Sequence, residues 1–170
     1  HERVELSAFN WDSTSFEGQV AVTLVALRPS FDSVILDAGH LLRFKSVTDR
    51  GGALAWSTTG DTLVVRLRRA AGLGDTVRFR LSYHGVVENG RGLTYIEADT
   101  APPRRPRQIW SQGEADDNHR WFPTYDFPND RFTWEMLVTV PRGITAVSNG
   151  RLVSDIPNRD GTHTAWWSQE

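Results

Sequence analysis

The feature that most constrains this chain is a period of two. In "GDTVRFRLSYHG" (74–85), Val77, Phe79, Leu81 and Tyr83 alternate with Arg78, Arg80, Ser82 and His84. Successive side chains of an extended backbone point to opposite sides, so this segment has one apolar and one polar face, as a strand on a core does. The same alternation places Val4, Leu6 and Ala8 together in "RVELSAF" (3–9), and Val20, Val22, Leu24 and Ala26 together in "GQVAVTLVAL" (18–27). "DSVILDA" (32–38) predicts a shorter, more continuously apolar strand, and "LLRFKSVT" (41–48) another alternating one. "ALAWSTTGDTLVVRL" (53–67) predicts two strands joined at Thr59-Gly60-Asp61. In "RFTWEMLVTVP" (131–141), Phe132, Trp134, Met136, Val138 and Val140 share a face. Asn149-Gly150 fits either a tight hairpin turn or a bulge within a longer strand. "NRDGTHTAWWSQ" (158–169) opens on an Asp-Gly turn and ends as a strand.

No long stretch carries helical period, and glycines punctuate the strands at short intervals. The expected fold is all-β: an antiparallel β-sandwich of many short strands, or a curved, saddle-like sheet, forming a single domain over residues 1–170. Because the chain begins at His1 rather than Met, it is expected to be a piece of something longer. The net charge of −2 argues against a nucleic-acid partner, which calls for a basic excess. "PPRRPRQ" (102–108) reads as an extended, solvated connection. The absence of cysteine removes disulfides, thiolate zinc sites and thiol nucleophiles together. No apolar run approaches the length of a membrane span.

One segment departs from the pattern. "WSQGEADDNHRWFPTYDFPND" (110–130) is polar, aromatic and proline-stiffened in the middle of a β-domain. It has no G-x-S-x-G elbow, and the five histidines include no i, i+4 pair and no H-E-x-x-H. Neither a nucleophile nor a self-contained metal site is therefore expected, and nothing marks two carboxylates as an acid–base pair. Binding remains. If a strand runs through "QIWSQGE", then Gln108, Trp110, Gln112 and Glu114 share one face, and a carboxamide beside a carboxylate offers acceptors to an ammonium group. Gly113 between them lets a ligand or another backbone come close. Downstream, "HRWFPTYDFPND" (119–130) reads as a buried, stiff loop: Trp121, Phe122, Tyr125 and Phe127 supply apolar area to pack inward, and Pro123 and Pro128 hold Phe122 and Phe127 extended. Asp126 is expected to tie down loop amides or to pair with Arg120 or Arg131.

The run "QIWSQGEADDNHRWFPTYDFPNDRFTWEMLVTVPRGITAVSNGRLVS" resembles the N-terminal domain of the aminopeptidase N family of zinc metallopeptidases. The likeness lies in Gln112 and Glu114 at a strand end, in the loop from Arg120 through Phe122, Pro123 and Asp126 to Pro128, in Val138–Pro141, and in Ala146–Gly150; the earlier strands fit as well. It implies a saddle-shaped β-domain lying over a thermolysin-like catalytic domain that is the chain's own downstream partner. It also implies that the zinc belongs to that domain and that no cofactor or catalytic residue lies here. Glu114 then matches the position that helps bind a peptide's free amino terminus, and Gln112 a position lining the pocket for the first side chain. Gly113 stands where many members carry Cys. The competing expectation is a non-enzymatic β-sandwich that grips a protein or carbohydrate through exposed aromatics.

Overall fold

The computed structural model describes residues 1–88 and 90–170. Thirteen strands follow one another among them: β1 (Glu2–Asn10), β2 (Ser15–Val25), β3 (Phe31–Asp37), β4 (Leu42–Asp49), β5 (Gly52–Ala53), β6 (Trp56–Thr59), β7 (Thr62–Ala71), β8 (Thr76–Val86), β9 (Gly92–Ile96), β10 (Gln108–Gln112), β11 (Trp134–Pro141), β12 (Arg151–Pro157) and β13 (Thr162–Gln169). The one helical element among the described residues is a single 3-10 turn, Asn118–Arg120. No helix there is long and apolar enough to cross a membrane.

The strands form an open eight-stranded sheet in the order β12-β13-β11-β1-β2-β8-β4-β5, a three-stranded sheet β3-β7-β6, and a two-stranded ribbon β9-β10. Pairing is antiparallel except between β1 and β11, which run parallel with Glu2 opposite Trp134 and Leu6 opposite Val138. Most of the chain lies between these two strands, so no hairpin turn dictates their relative direction. The all-β expectation holds, with open sheets and this one parallel pair.

Parity selects the core. Val4, Leu6, Val20, Val22, Phe79, Leu81 and Tyr83 are buried in one cluster with Val34, Leu36, Leu63 and Val65 of the smaller sheet. The apolar run of β3 is divided in the same way, with Val34 and Leu36 inside and Ile35 64% exposed. The expected alternation fails at Ala8, which takes a φ of 51° and is exposed, because the register shifts between Ser7 and Asn10. Asn149-Gly150 lies in the loop before β12 rather than in a bulge of a longer strand. Two short strands, β5 and β9, carry too few residues to show a period.

Two glycines make room for the largest core rings. Gly18 pairs with Tyr83 across β2 and β8, and Gly85 pairs with Phe16. A methyl group on Gly18 would lie 2.2 Å from the Tyr83 ring, and one on Gly85 would lie 2.3 Å from the Phe16 ring. Each ring folds over the bare backbone opposite it, and the two rings meet edge to face at 6.2 Å. Tyr83 is fully buried, and its hydroxyl donates to the Trp121 carbonyl at 2.9 Å. This bond fastens the unusual segment to the centre of the large sheet.

Candidate functional site

Strand β10 ends at Gln112, paired with Gly92, and has a neighbour on only one side. Glu114 therefore lies beyond the strand rather than on it, which corrects the expectation that Gln108, Trp110, Gln112 and Glu114 share one strand face. The chain turns sharply, and the Asp117 amide donates back to the Gly113 carbonyl at 3.0 Å. Glu114, Ala115 and Asp116 form the exposed tip of this turn, with Gln112 exposed just before it.

The charges around the turn are divided unequally. Asp117 Oδ1 accepts from Arg91 at 3.1 Å and from the Arg120 Nε. Arg120's hydrogen bond, with the charge of Arg91 behind it, holds the Asp117 carboxyl below its ordinary value. Glu114 has no ion pair or hydrogen bond from its side chain among the described residues. Both nearby cations are thus spent on anchoring the turn, and the carboxylate at its tip is left open. A side chain at Gly113 would lie 2.1 Å from Asn118 Oδ1, so the bare backbone there lets the Asn118 side chain come close.

The rest of the segment is divided between core and surface. Trp121, Phe122 and Pro123 are buried, Trp121 and Phe122 having ring centroids 4.4 Å apart and both meeting Trp134. Tyr125 and Phe127 are 45% and 61% exposed, against the expectation that all four rings pack inward. Pro128 is exposed beside Phe127. Asp126 does tie down a loop amide: its Oδ2 accepts from the His119 amide at 2.9 Å and from the His119 ring Nδ1 at 2.8 Å. It pairs with neither Arg120, which serves Asp117, nor Arg131. Thr124 exchanges both backbone bonds with Asp37, at 2.7 and 3.0 Å, and the Asp126 amide donates to Asp37 Oδ2 at 3.0 Å. Asp61, in the β6–β7 turn, approaches the His119 ring at 3.8 Å and accepts from the His40 amide and ring. Burial alone would raise the Asp61 carboxyl, but the His40 bonds and the charges of His40 and His119 bring it below its ordinary value.

Sequence reasoning missed Arg91, Asn118, Asp37 and Asp61, and it read Asp117 and His119, grouped with Glu114 and Asp116, only as a solvated turn or short helix start. The acidic run at 114–117 was visible, but which acid meets a cation depends on strands distant in sequence. A groove of about 200 Å³ lies elsewhere, on the outer face of the large sheet. Its two carboxylates are already engaged, Glu5 by Arg3 and Glu17 by Lys45 and His84. Among the described residues no group of three or more His, Cys, Asp or Glu side chains is placed to hold a metal ion. The zinc implied by the resemblance therefore has no fitting ligand set in these residues.

Comparison with known proteins places the chain in a family. The model of the Peptidase M1 N-terminal domain matches residues 2–170. Mouse aminopeptidase B is 30% identical over 92 residues, covering 54% of this chain and 14% of its own length. Aminopeptidase N of Acetobacter pasteurianus is 25% identical over 150 residues, covering 86% of this chain and 41% of its own. An M1 zinc metallopeptidase mutant of Deinococcus radiodurans, solved with a Tyr-Ser-Ala substrate, superposes with a TM-score of 0.81 at 25% identity, covering all of this chain and 38% of that one. A two-domain M1 zinc metallopeptidase bound to L-tryptophan superposes at 0.83 with 26% identity and the same coverage. The chain thus spans well under half the length of the relatives it matches. With the family model covering nearly every residue and the fold agreeing throughout, the chain belongs to the Peptidase M1 N-terminal domain family.

Proposed function

We propose that this domain recognises the free amino terminus of a peptide on behalf of a zinc aminopeptidase domain that follows it in the complete protein. In this reading Glu114 takes the ammonium group, and Gln112 lines the space for the first side chain. The observation that carries the reading is the unequal division of charge at the turn: Arg91 and Arg120 bind Asp117, and Glu114 stays exposed and unpaired at the tip. A carboxylate destined for a cationic ligand has to be held in place without being neutralised, and the pairing at Asp117 does both.

The chemistry suits an exopeptidase. Once a second domain covers the turn and lowers the local dielectric, the carboxylate makes charge-assisted hydrogen bonds with an ammonium group, and an acylated nitrogen has no charge to offer in return. Two further observations support a downstream partner. Tyr125 and Phe127 display apolar rings on the same segment, and the two-domain relatives are more than twice as long as this chain. The zinc and the bond-breaking groups would belong to that partner, and this chain's part would be to bind and orient.

The test is made on the complete protein with an unblocked aminoacyl-anilide. Glu114→Ala should lower kcat/KM by roughly 30- to 900-fold, equivalent to about 2–4 kcal/mol, with an unchanged unfolding temperature. A protein that retains its kcat/KM to within about threefold, less than 1 kcal/mol, would remove Glu114 from recognition.

A further inference from the structure

The turn that carries Glu114 needs something to fix its position. The strand before it does not, because β10 pairs only with β9 and is exposed along most of its length. The residues after the turn are bound much more closely, and four of those contacts are made by His119.

The four polar groups of His119 reach three places. Its amide and its ring Nδ1 both donate to Asp126 Oδ2, at 2.9 and 2.8 Å. Its carbonyl accepts from the Gly39 amide at 2.7 Å, in the connection between β3 and β4. Its ring Nε2 lies 3.8 Å from Asp61 Oδ2, in the turn between β6 and β7. Asp126 is anchored in its turn to Asp37 at the end of β3. The His119 side chain is only 12% exposed and that of Asp126 only 5%, so these bonds are shielded from water. The imidazole therefore closes the loop on Asp126 and reaches the β6–β7 turn of the smaller sheet, while the His119 carbonyl ties the same residue to the β3–β4 connection. His119 is the middle residue of the 3-10 turn, between Asn118, which fills the space beside Gly113, and Arg120, which holds Asp117.

We infer that His119 is a positioning residue that sets where the Glu114 carboxylate stands. The inference rests on the recognition role proposed above for Glu114. His119 touches no substrate. It acts by holding the 3-10 turn against the smaller sheet, and the two residues flanking it pass that position to the turn at 113–117. Small displacements of a binding group are costly when the partner is a charge at hydrogen-bond distance.

The experiment is a double-mutant cycle in the complete protein on an unblocked aminoacyl-anilide, read as KM and kcat separately. His119→Ala should lower kcat/KM roughly tenfold, mainly through KM. His119→Asn, which keeps a donor within reach of Asp126, should recover most of that loss. In a Glu114→Ala background His119→Ala should have almost no further effect, because its action runs through the missing carboxylate. Should His119→Ala fail to fold, Asp61→Asn removes the charge facing the His119 and His40 rings while keeping an acceptor for the His40 amide, and should raise KM by roughly threefold with the same dependence on Glu114. A His119→Ala loss that persists undiminished beside Glu114→Ala would overturn the positioning role, since it would report a general loss of structure. A defective Glu114→Ala protein with an unaffected His119→Ala protein would overturn this inference and leave the recognition role standing. A fully active Glu114→Ala protein would overturn both.

Discussion

At the scale of single residues, position in the strand outweighs chemical type. Glu2 has the parity of Val4 and Leu6, so β1 carries its carboxylate inward to 5% exposure. One oxygen accepts from the Thr124 hydroxyl at 3.2 Å, and the other is buried without a partner. Burial pushes the carboxyl from 4.5 up to about 7, with Thr124 and the chain's amino group pulling down and Asp126 adding to the rise. The folded protein therefore holds this proton more tightly than the unfolded chain. The stability it contributes is fully present below about 4.5 and is lost as pH climbs through 7. Between pH 5 and pH 8 the loss from this group should reach roughly 2–3 kcal/mol. Urea unfolding of the wild-type and Glu2→Gln proteins at the two pH values checks it: the substitution should gain in relative stability as pH rises. An identical pH dependence in both proteins would contradict the assignment. The same precedence of position over type governs Asp117 and Glu114, two acids three residues apart. One is drawn into an arginine pair and the other is left at a turn tip.

Among the elements, the segment 113–128 shows how a loop is made rigid without regular structure. Its bonds run to Asp37 and Gly39 at the end of β3, to Tyr83 in β8 and to Arg91 before β9, three separate places in the chain. Its aromatics divide by role, Trp121 and Phe122 closing the core and Tyr125 and Phe127 facing out. Phe122→Ala should cost this domain about 3–5 kcal/mol, as expected for a large ring lost from a core. Phe127→Ala should change its stability by less than about 0.5 kcal/mol. Chemical denaturation of the two variants side by side measures the contrast, and equal losses would show that Phe127 is packed after all. The sequence made the loop recognisable through its prolines and its clustered rings. It did not reveal which rings turn inward, because an irregular backbone has no period from which to read a face.

For the molecule as a whole, the proposed division of labour leaves this domain inert alone. The purified 170-residue chain, supplied with zinc, should not hydrolyse an aminoacyl-anilide, since it contains no H-E-x-x-H. Chelator-sensitive turnover by this chain would contradict that. The β-class, most of the strands and much of the core come from local alternation, since an amphipathic strand has one face that must leave water whatever its neighbours are. Gln112 and Glu114 are singled out by the resemblance rather than by alternation, which would put Glu114 on a strand that ends before it. The parallel pairing of β1 with β11 could not be read in either way, nor could the Arg91–Asp117–Arg120 cluster or the anchoring of His119 to Asp126 and Asp61. These contacts join residues brought together from separate parts of the chain. Their formation depends on how whole sheets are arranged, and no local pattern of residues encodes that arrangement.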